Sequence, residues 1–193
     1  MQLSFTDFFQ NVFIKSDKIL ISHCCPCIFY NSGVLVTGAA GYLAIHCVQQ
    51  LLRQGYKVRG TVRDLIRSDK IDPLRQLENT DRLELFRASL EDGVDLWEEA
   101  AENCTYVLHV ASPCTVLPDE AMVDTAVTGT MNVLRGAARR QCVRKVVLTS
   151  SCGAINVKSN FHLRQYVRKG HGDPKKVFTE EDWTNLNWRH LHP

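Results

Sequence analysis

From residue 33 onward, hydrophobic positions fall into two alternating patterns: short runs rich in Val, Leu and Thr, and longer runs with apolar residues three and four apart. The short runs predict strands at 34–37, 57–62, 83–86, 106–110 and 145–149, each bounded by Gly, Asp, Asn or a polar turn. The first, fourth and fifth are nearly all apolar, as strands covered on both faces should be. Between them the spacing predicts helices at 42–54, with Leu43, Val48, Leu51 and Leu52 inward, at 71–77, at 94–101 and at 120–139. In the last helix, Met122, Val123, Ala126, Val127, Met131 and Leu134 form one apolar stripe expected to face a sheet. Strands alternating with helices imply βαβ units, so the expected fold class is α/β: a Rossmann-like doubly wound parallel sheet of order 3-2-1-4-5, incomplete at its C-terminal end.

No internal repeat or Pro-rich linker interrupts residues 33–157. Beyond Val157 the stretch KSNFHLRQYVRKGHGDPKK is polar, basic and punctuated by Gly and Pro, and reads as a surface loop with no further strand after it. The fifth strand is then expected as an exposed apolar edge. Residues 1–32 read as an N-terminal extension of no assignable role, packed poorly or not at all. Their run ILISHCCPCIFY is too short and too interrupted to span a membrane, and no basic start marks a secretory signal.

Composition narrows the partners. The 193 residues, 45% hydrophobic and 23% charged, suffice for one sizeable core, and a formal charge of +2 is too mild to imply a nucleic-acid or membrane partner. Five of the eight cysteines, at 47, 104, 114, 142 and 152, lie in or beside apolar segments, the distribution of reduced thiols in a cytoplasmic protein. The remaining three belong to HCCPC at 23–27, where Cys24 and Cys27 form a lone CxxC beside His23. Zinc needs about four ligands and no second pair stands at a suitable spacing, so no metal is expected.

The candidate chemistry lies in VLVTGAAGYLAIH, residues 34–46. Gly38 and Gly41 stand where a strand hands over to a helix. There a tight turn of Gly38, Ala39, Ala40 and Gly41, followed by Tyr42 and Leu43, can turn backbone N–H groups toward a pyrophosphate, while Ala44 allows close helix packing. Such turns also occur as plain connections; the strand-turn-helix context favours dinucleotide binding. Recognition of a cofactor lacking a 2′-phosphate calls for an Asp or Glu at the end of the second strand. VRGTVRD instead offers Arg63, with Arg67 and Lys70 following, whereas Arg59 is expected to point the other way along the strand. NADP(H) is favoured, and Asp64, next to Arg63, keeps NAD(H) open.

Six segments in order, VLVTGAAGYLAIH, VRGTVRD, HVASP, AVTGTMNVLRGA, KVVLTSS and FTEEDW, resemble the extended short-chain dehydrogenase/reductases. The likeness lies with the dihydroflavonol 4-reductase and cinnamoyl-CoA reductase-like branch of the NAD-dependent epimerase/dehydratase superfamily. The resemblance covers residues 33–187. It implies that Gly38, Gly41 and Ala44 form the phosphate-binding turn and that Arg63 and Lys70 take the 2′-phosphate. It also implies that Ala111, Ser112 and Pro113 line the cofactor and that Ser151 is the catalytic serine. Ser89, followed by Leu90, stands where the family usually has an acid that binds adenine. The family's Tyr and Lys, four apart on a helix, are expected beyond Trp183 and do not occur in the chain; Tyr166 and Lys169 are three apart and do not replace them.

These readings give an NADP(H)-dependent oxidoreductase acting on CH–OH or carbonyl groups of a small molecule, represented by its cofactor-binding half at 33–193. The alternative is a catalytically inactive cofactor-binding or interaction fragment. A fragment, a splice form and an imperfect gene model are all compatible with the pattern, as is a homo-oligomer.

Overall fold

The computed structural model describes residues 32–113 and 120–151 and divides the chain into two units, 1–148 and 149–193. In the first unit, strands β1 (Gly33–Val36), β2 (Lys57–Val62), β3 (Leu83–Arg87), β4 (Cys104–His109) and β5 (Lys145–Leu148) alternate with helices α1 (Tyr42–Arg53), α2 (Ser68–Arg75), α3 (Val94–Ala100) and α4 (Glu120–Ala138). A short 3-10 turn, Thr80–Arg82, leads into β3. All four strand pairings are parallel, in the order β3-β2-β1-β4-β5. The sheet order and five expected strands are therefore present, with ends shifted by one or two residues.

Period-two alternation along the strands sorts side chains onto two faces. Val34 and Val36 of β1, Val58 and Val62 of β2 and Leu108 of β4 pack with Val48, Leu51 and Leu52 of α1 and with Ile71 and Leu74 of α2. Leu35 and Val107 face the opposite layer, against Trp97 and Ala100 of α3 and Val133 and Ala137 of α4. Full burial of each such aliphatic side chain contributes about 1.5–3 kcal/mol, so β1, buried on both faces, is the most heavily anchored strand. Helix α2 begins three residues earlier than its apolar spacing predicts, because the Arg67 carbonyl accepts both the Lys70 and Ile71 N–H groups and so nucleates the first turn.

Helix α4 departs from expectation in its orientation. Of the predicted stripe, Val123, Val127 and Met131 are exposed. The buried side is instead Gly129, Val133, Gly136 and Ala137. The reason is close approach: a Cβ on Gly136 would stand 2.6 Å from the Glu98 amide nitrogen and 2.8 Å from Trp97 Cβ, and one on Gly129 would stand 2.7 Å from Leu90 Cβ. Backbone contact at the two glycines turns the helix so that its smallest residues, which an apolar count overlooks, meet α3. Strand β5 pairs with β4 alone among the described residues, and Leu148 on it is half exposed.

Cys47 and Cys104 are buried free thiols, and burial pushes both up to about 11, so neither is a nucleophile near neutrality. Residues 1–31, with the HCCPC stretch, lie outside the described residues, as do Tyr166 and Lys169. Among the described residues no helix is long and apolar enough to cross a membrane.

The packing of α4 on α3 predicts that Gly136→Val, which places a branched side chain against Trp97, destabilises the fold by about 2–3 kcal/mol. Val127→Gln, on the outward stripe, changes stability by no more than about 0.5 kcal/mol. Urea denaturation of the two variants beside the parent checks both; equal losses would show that the stripe, not the glycine side, is buried.

Candidate functional site

The strand order reverses between β1 and β4, and in open α/β sheets the carboxyl ends of the strands at such a reversal are where a ligand crevice forms. Into it runs the turn Gly38–Gly41. Gly38 has φ +66°, a left-handed conformation costing other residues about 1–2 kcal/mol, and its α-carbon lies so close to β4 that a Cβ would stand 3.1 Å from Ala111 Cβ. The turn closes through a Gly41 N–H to Gly38 carbonyl bond of 2.8 Å, and Gly41 caps α1 with extended backbone and no side-chain cap. No acid occupies the first turn of α1. Its opening N–H groups, at Tyr42 and Leu43, lack intrahelical partners by the geometry of any helix start, so they present partial positive charge to the crevice. Tyr42 is exposed, Leu43 half-buried, and Ala39 and Ala44 sit in the core.

Both neighbouring strands hold this turn. From β2, Thr61 accepts the Gly38 N–H on its hydroxyl at 3.0 Å and the Ala39 N–H on its carbonyl at 2.8 Å. Toward β4, Thr37 binds with its side chain: Oγ1 accepts the Val110 N–H at 3.1 Å and the Ala111 N–H at 2.9 Å, and lies 2.8 Å from His109 Nδ1. His109 Nε2 lies 3.2 Å from Thr130 Oγ1 on α4. Thr37 and His109 are both fully buried, and burial pushes the imidazole down to about 4, so it is neutral at physiological pH.

Of the sequence-predicted residues outside the glycine turn, Ala111 approaches it directly, and the others follow the carboxyl ends of their strands or lie on α2. Ala111, Ser112 and Pro113 follow β4, with Ala111 against Gly38 and Ser112 exposed. Arg63 follows β2, exposed and without an ion pair or hydrogen bond among the described residues. Its neighbours are engaged elsewhere: Asp64 Oδ1 accepts the Ile66 N–H at 2.8 Å, and Arg67 grips Asp69 through bonds of 3.1 and 2.8 Å. Arg67 holds the Asp69 carboxyl below its ordinary range, with a smaller contribution from Lys70, which is exposed on α2. Arg59 turns away, as expected, and caps the last turn of α3 with bonds of 3.2, 3.1 and 2.9 Å to the carbonyls of Glu99, Ala100 and Glu102.

Ser89 and Leu90 follow β3. The Ser89 N–H donates to Asp92 Oδ2 at 2.6 Å, Arg87 binds the same carboxylate at 3.0 and 2.8 Å, and Leu90 supports α4 at Gly129. Of the two acids in this loop, Asp92 is thus already paired and Glu91 is exposed. Ser151 stands three residues beyond the end of β5, at the start of the second unit. Sequence reasoning missed Thr37, His109 and Thr130. The one available signal was a polar ring inside the apolar run YVLHV, beside a threonine closing an equally apolar strand.

Residues 34–174 match the NAD dependent epimerase/dehydratase family. A putative anthocyanidin reductase of Ginkgo biloba is 36% identical over 84% of this chain and 45% of its own length. Cinnamoyl-CoA reductase 1 of Petunia hybrida is 42% identical over 79% of this chain and 41% of its own. The solved structure of Gre2 from Candida albicans in complex with NADPH aligns with a TM-score of 0.64 at 30% identity, covering 82% of this chain and 45% of that one. The chain spans less than half the length of these relatives.

The buried His109 predicts a pH dependence. Its folded pKa, about 4, lies below the ordinary 6.5, so between these values the unfolded chain binds the extra proton and stability falls as pH falls. Stability is complete above about pH 6.5, and the loss through this window is at most roughly 1.4 kcal/mol per pH unit. Denaturation midpoints from about pH 7.5 to about pH 5 measure it. His109→Asn, which cannot protonate, should show a flatter profile; identical slopes would place the effect on other groups.

Proposed function

The chain belongs to the NAD dependent epimerase/dehydratase family, and from that membership we propose that residues 33–193 form the NADP(H)-binding part of an oxidoreductase acting on a carbonyl or secondary alcohol of a small molecule. The carrying observation is the pairing pattern after β2: Arg63 has no partner among the described residues, while Asp64 is turned into a local backbone bond. An unpaired guanidinium suits a 2′-phosphate. A carboxylate already accepting an N–H is less suited to a ribose diol.

The residues of the crevice fit such a cofactor. The N–H groups opening α1, with no side-chain cap and no acid in the first turn, take the pyrophosphate. Arg63 and Lys70 take the 2′-phosphate, Ser89 and Leu90 border the adenine, and Ala111–Pro113 form the wall opposite Gly38. Bound there, NADP(H) supplies the hydride. Ser151 donates a hydrogen bond to the substrate oxygen. The names of the relatives, reductases of flavonoid-type and cinnamoyl substrates, and the NADPH complex of the Candida albicans protein support the same class of reaction for this chain.

A second reading is that residues 1–193 hold the cofactor without turning it over. It is favoured by the sequence, in which none of the five tyrosines is followed four positions later by a lysine. A positioned general acid is typically worth 10² to 10⁴ in rate, about the loss expected if none is supplied. NADPH consumption with a panel of aldehydes and ketones separates the two readings.

Cofactor choice is the direct test. Hydrogen bonds to a charged group contribute about 1.5–3 kcal/mol, which corresponds to a roughly 10- to 100-fold preference for NADPH over NADH. Fluorescence titration of both cofactors should show that preference in the parent and its near disappearance in Arg63→Ala, with NADH affinity unchanged. Equal affinities in the parent would refute the assignment of Arg63.

A further inference from the structure

Resting on the proposed cofactor site, we propose that His109 is a positioning residue of the crevice. As a neutral imidazole with its proton on Nε2, bridging Thr37 and Thr130, it fixes the Thr37 hydroxyl so that this oxygen holds the Val110 and Ala111 amides and sets the spacing between the Gly38 turn and the wall opposite.

The proton assignment follows from counting donors. A threonine hydroxyl has one proton and two lone pairs. Two backbone N–H groups point at Thr37 Oγ1, from Val110 at 3.1 Å and Ala111 at 2.9 Å, and occupy both lone pairs. The hydroxyl proton is left for its third neighbour, His109 Nδ1, at 2.8 Å. Nδ1 therefore accepts, and the ring proton lies on Nε2, which donates to Thr130 Oγ1 at 3.2 Å. An imidazolium, or the Nδ1–H tautomer, would aim an N–H at an oxygen with no lone pair left and would force the Thr37 oxygen to release one of the two amides.

Charge does not complicate this assignment. Thr37, directly after β1, and Thr130 on α4 face the two ring nitrogens, and burial is the cause that depresses the imidazole pKa among the described residues. The ring is buried, and with both nitrogens matched to a threonine oxygen it has a single low-energy arrangement.

The consequence for the site is dimensional. The spacing admits no side chain at position 38: a Cβ added there would stand 3.1 Å from Ala111 Cβ. Release of the Ala111 amide from Thr37 removes one tie between the two walls, beyond the Thr37 N–H to Leu108 carbonyl bond that continues the β1–β4 pairing. Because Thr130 lies on α4, the ring also couples that helix to the crevice across 21 residues of chain, and Thr37 couples β1 to it across 72.

The experiment has two readouts. Long-range proton–nitrogen NMR on the histidine-labelled full chain, with His109 assigned by its loss in His109→Asn, should show a protonated Nε2, a bare Nδ1 and no titration down to about pH 5. NADPH titration should show His109→Phe, which keeps a ring but neither nitrogen, binding about tenfold more weakly than the parent. His109→Asn, whose amide oxygen accepts near the place of Nδ1, should stay within about threefold. Thr130→Val, of similar volume at a half-buried helix position, removes the partner of Nε2 and should give an intermediate affinity, which keeps the test available if His109→Phe fails to fold. An Nδ1–H tautomer, ordinary titration of His109 near pH 6.5, or parent-like affinity in both His109→Phe and Thr130→Val would overturn the proposal. If the parent binds no NADPH, the cofactor reading itself fails. Amide exchange then decides the spacing role: slow at Val110 and Ala111 in the parent and fast in His109→Phe supports it, and equal rates overturn it.

Discussion

A chain that leaves the central strand of a parallel sheet and enters a helix within five residues must satisfy its turn's polar groups from neighbouring strands, because no helix or ladder bonds reach them. In this protein that constraint is met by two threonines. Thr61 on β2 takes the Gly38 and Ala39 amides, and Thr37, closing β1, takes the Val110 and Ala111 amides beyond β4. With those groups satisfied internally, the N–H groups opening α1, which has no side-chain cap, are left facing outward. The site's capacity for an anion is thus a residue of how its turn is stabilised. Replacing either hydroxyl with a methyl would orphan buried donors at about 1–3 kcal/mol each, which makes the turn a cooperative unit with both neighbouring strands.

Much of this architecture was legible in the sequence. β1 and β4 are runs whose alternate residues feed two separate cores, and Val34, Leu35 and Val36 cannot all be buried unless both sheet faces are covered. The handover from Val36 to Tyr42 through two glycines marks the strand-turn-helix junction in the sequence itself. Helix α4 was misread because an apolar count rewards Val123, Val127 and Met131, while glycines at 129 and 136 score as nothing. Close backbone approach is a property of missing atoms, and it won over hydrophobic spacing. The His109 bridge was illegible for a different reason. Its partners stand 72 and 21 positions away, and only the sheet register, which sets Leu35 beside Val107, brings Thr37 and His109 to the same face.

Charged residues show how occupancy, more than identity, separates structural from functional roles. Four arginines lie within or near the β2 edge and read alike in sequence. Arg59 is spent on α3's carbonyls and on Glu84, Arg67 on Asp69, and Arg87 on Asp92. Arg63 alone among these four makes no such contact with the described residues. Exposed ion pairs contribute little to stability, so their importance here lies in which cation they leave uncommitted. The same logic applies to the acids: Asp64, Asp69 and Asp92 each accept a hydrogen bond from a residue two or three positions away, so each is already committed.

The central claim is that the crevice between β1 and β4, framed by the two threonine-held walls, is where NADP(H) sits. Hydrogen–deuterium exchange of the chain with and without NADP⁺ tests it most directly, since protection reports the contacted backbone whatever the substrate. The account predicts new protection confined to three segments: the turn and first helical residues at 38–43, the β2 edge at 63–70 and the wall at 110–113. No protection at saturating cofactor, or protection centred on the opposite, amino-terminal ends of the strands around Lys57, Leu83 and Cys104, would contradict it.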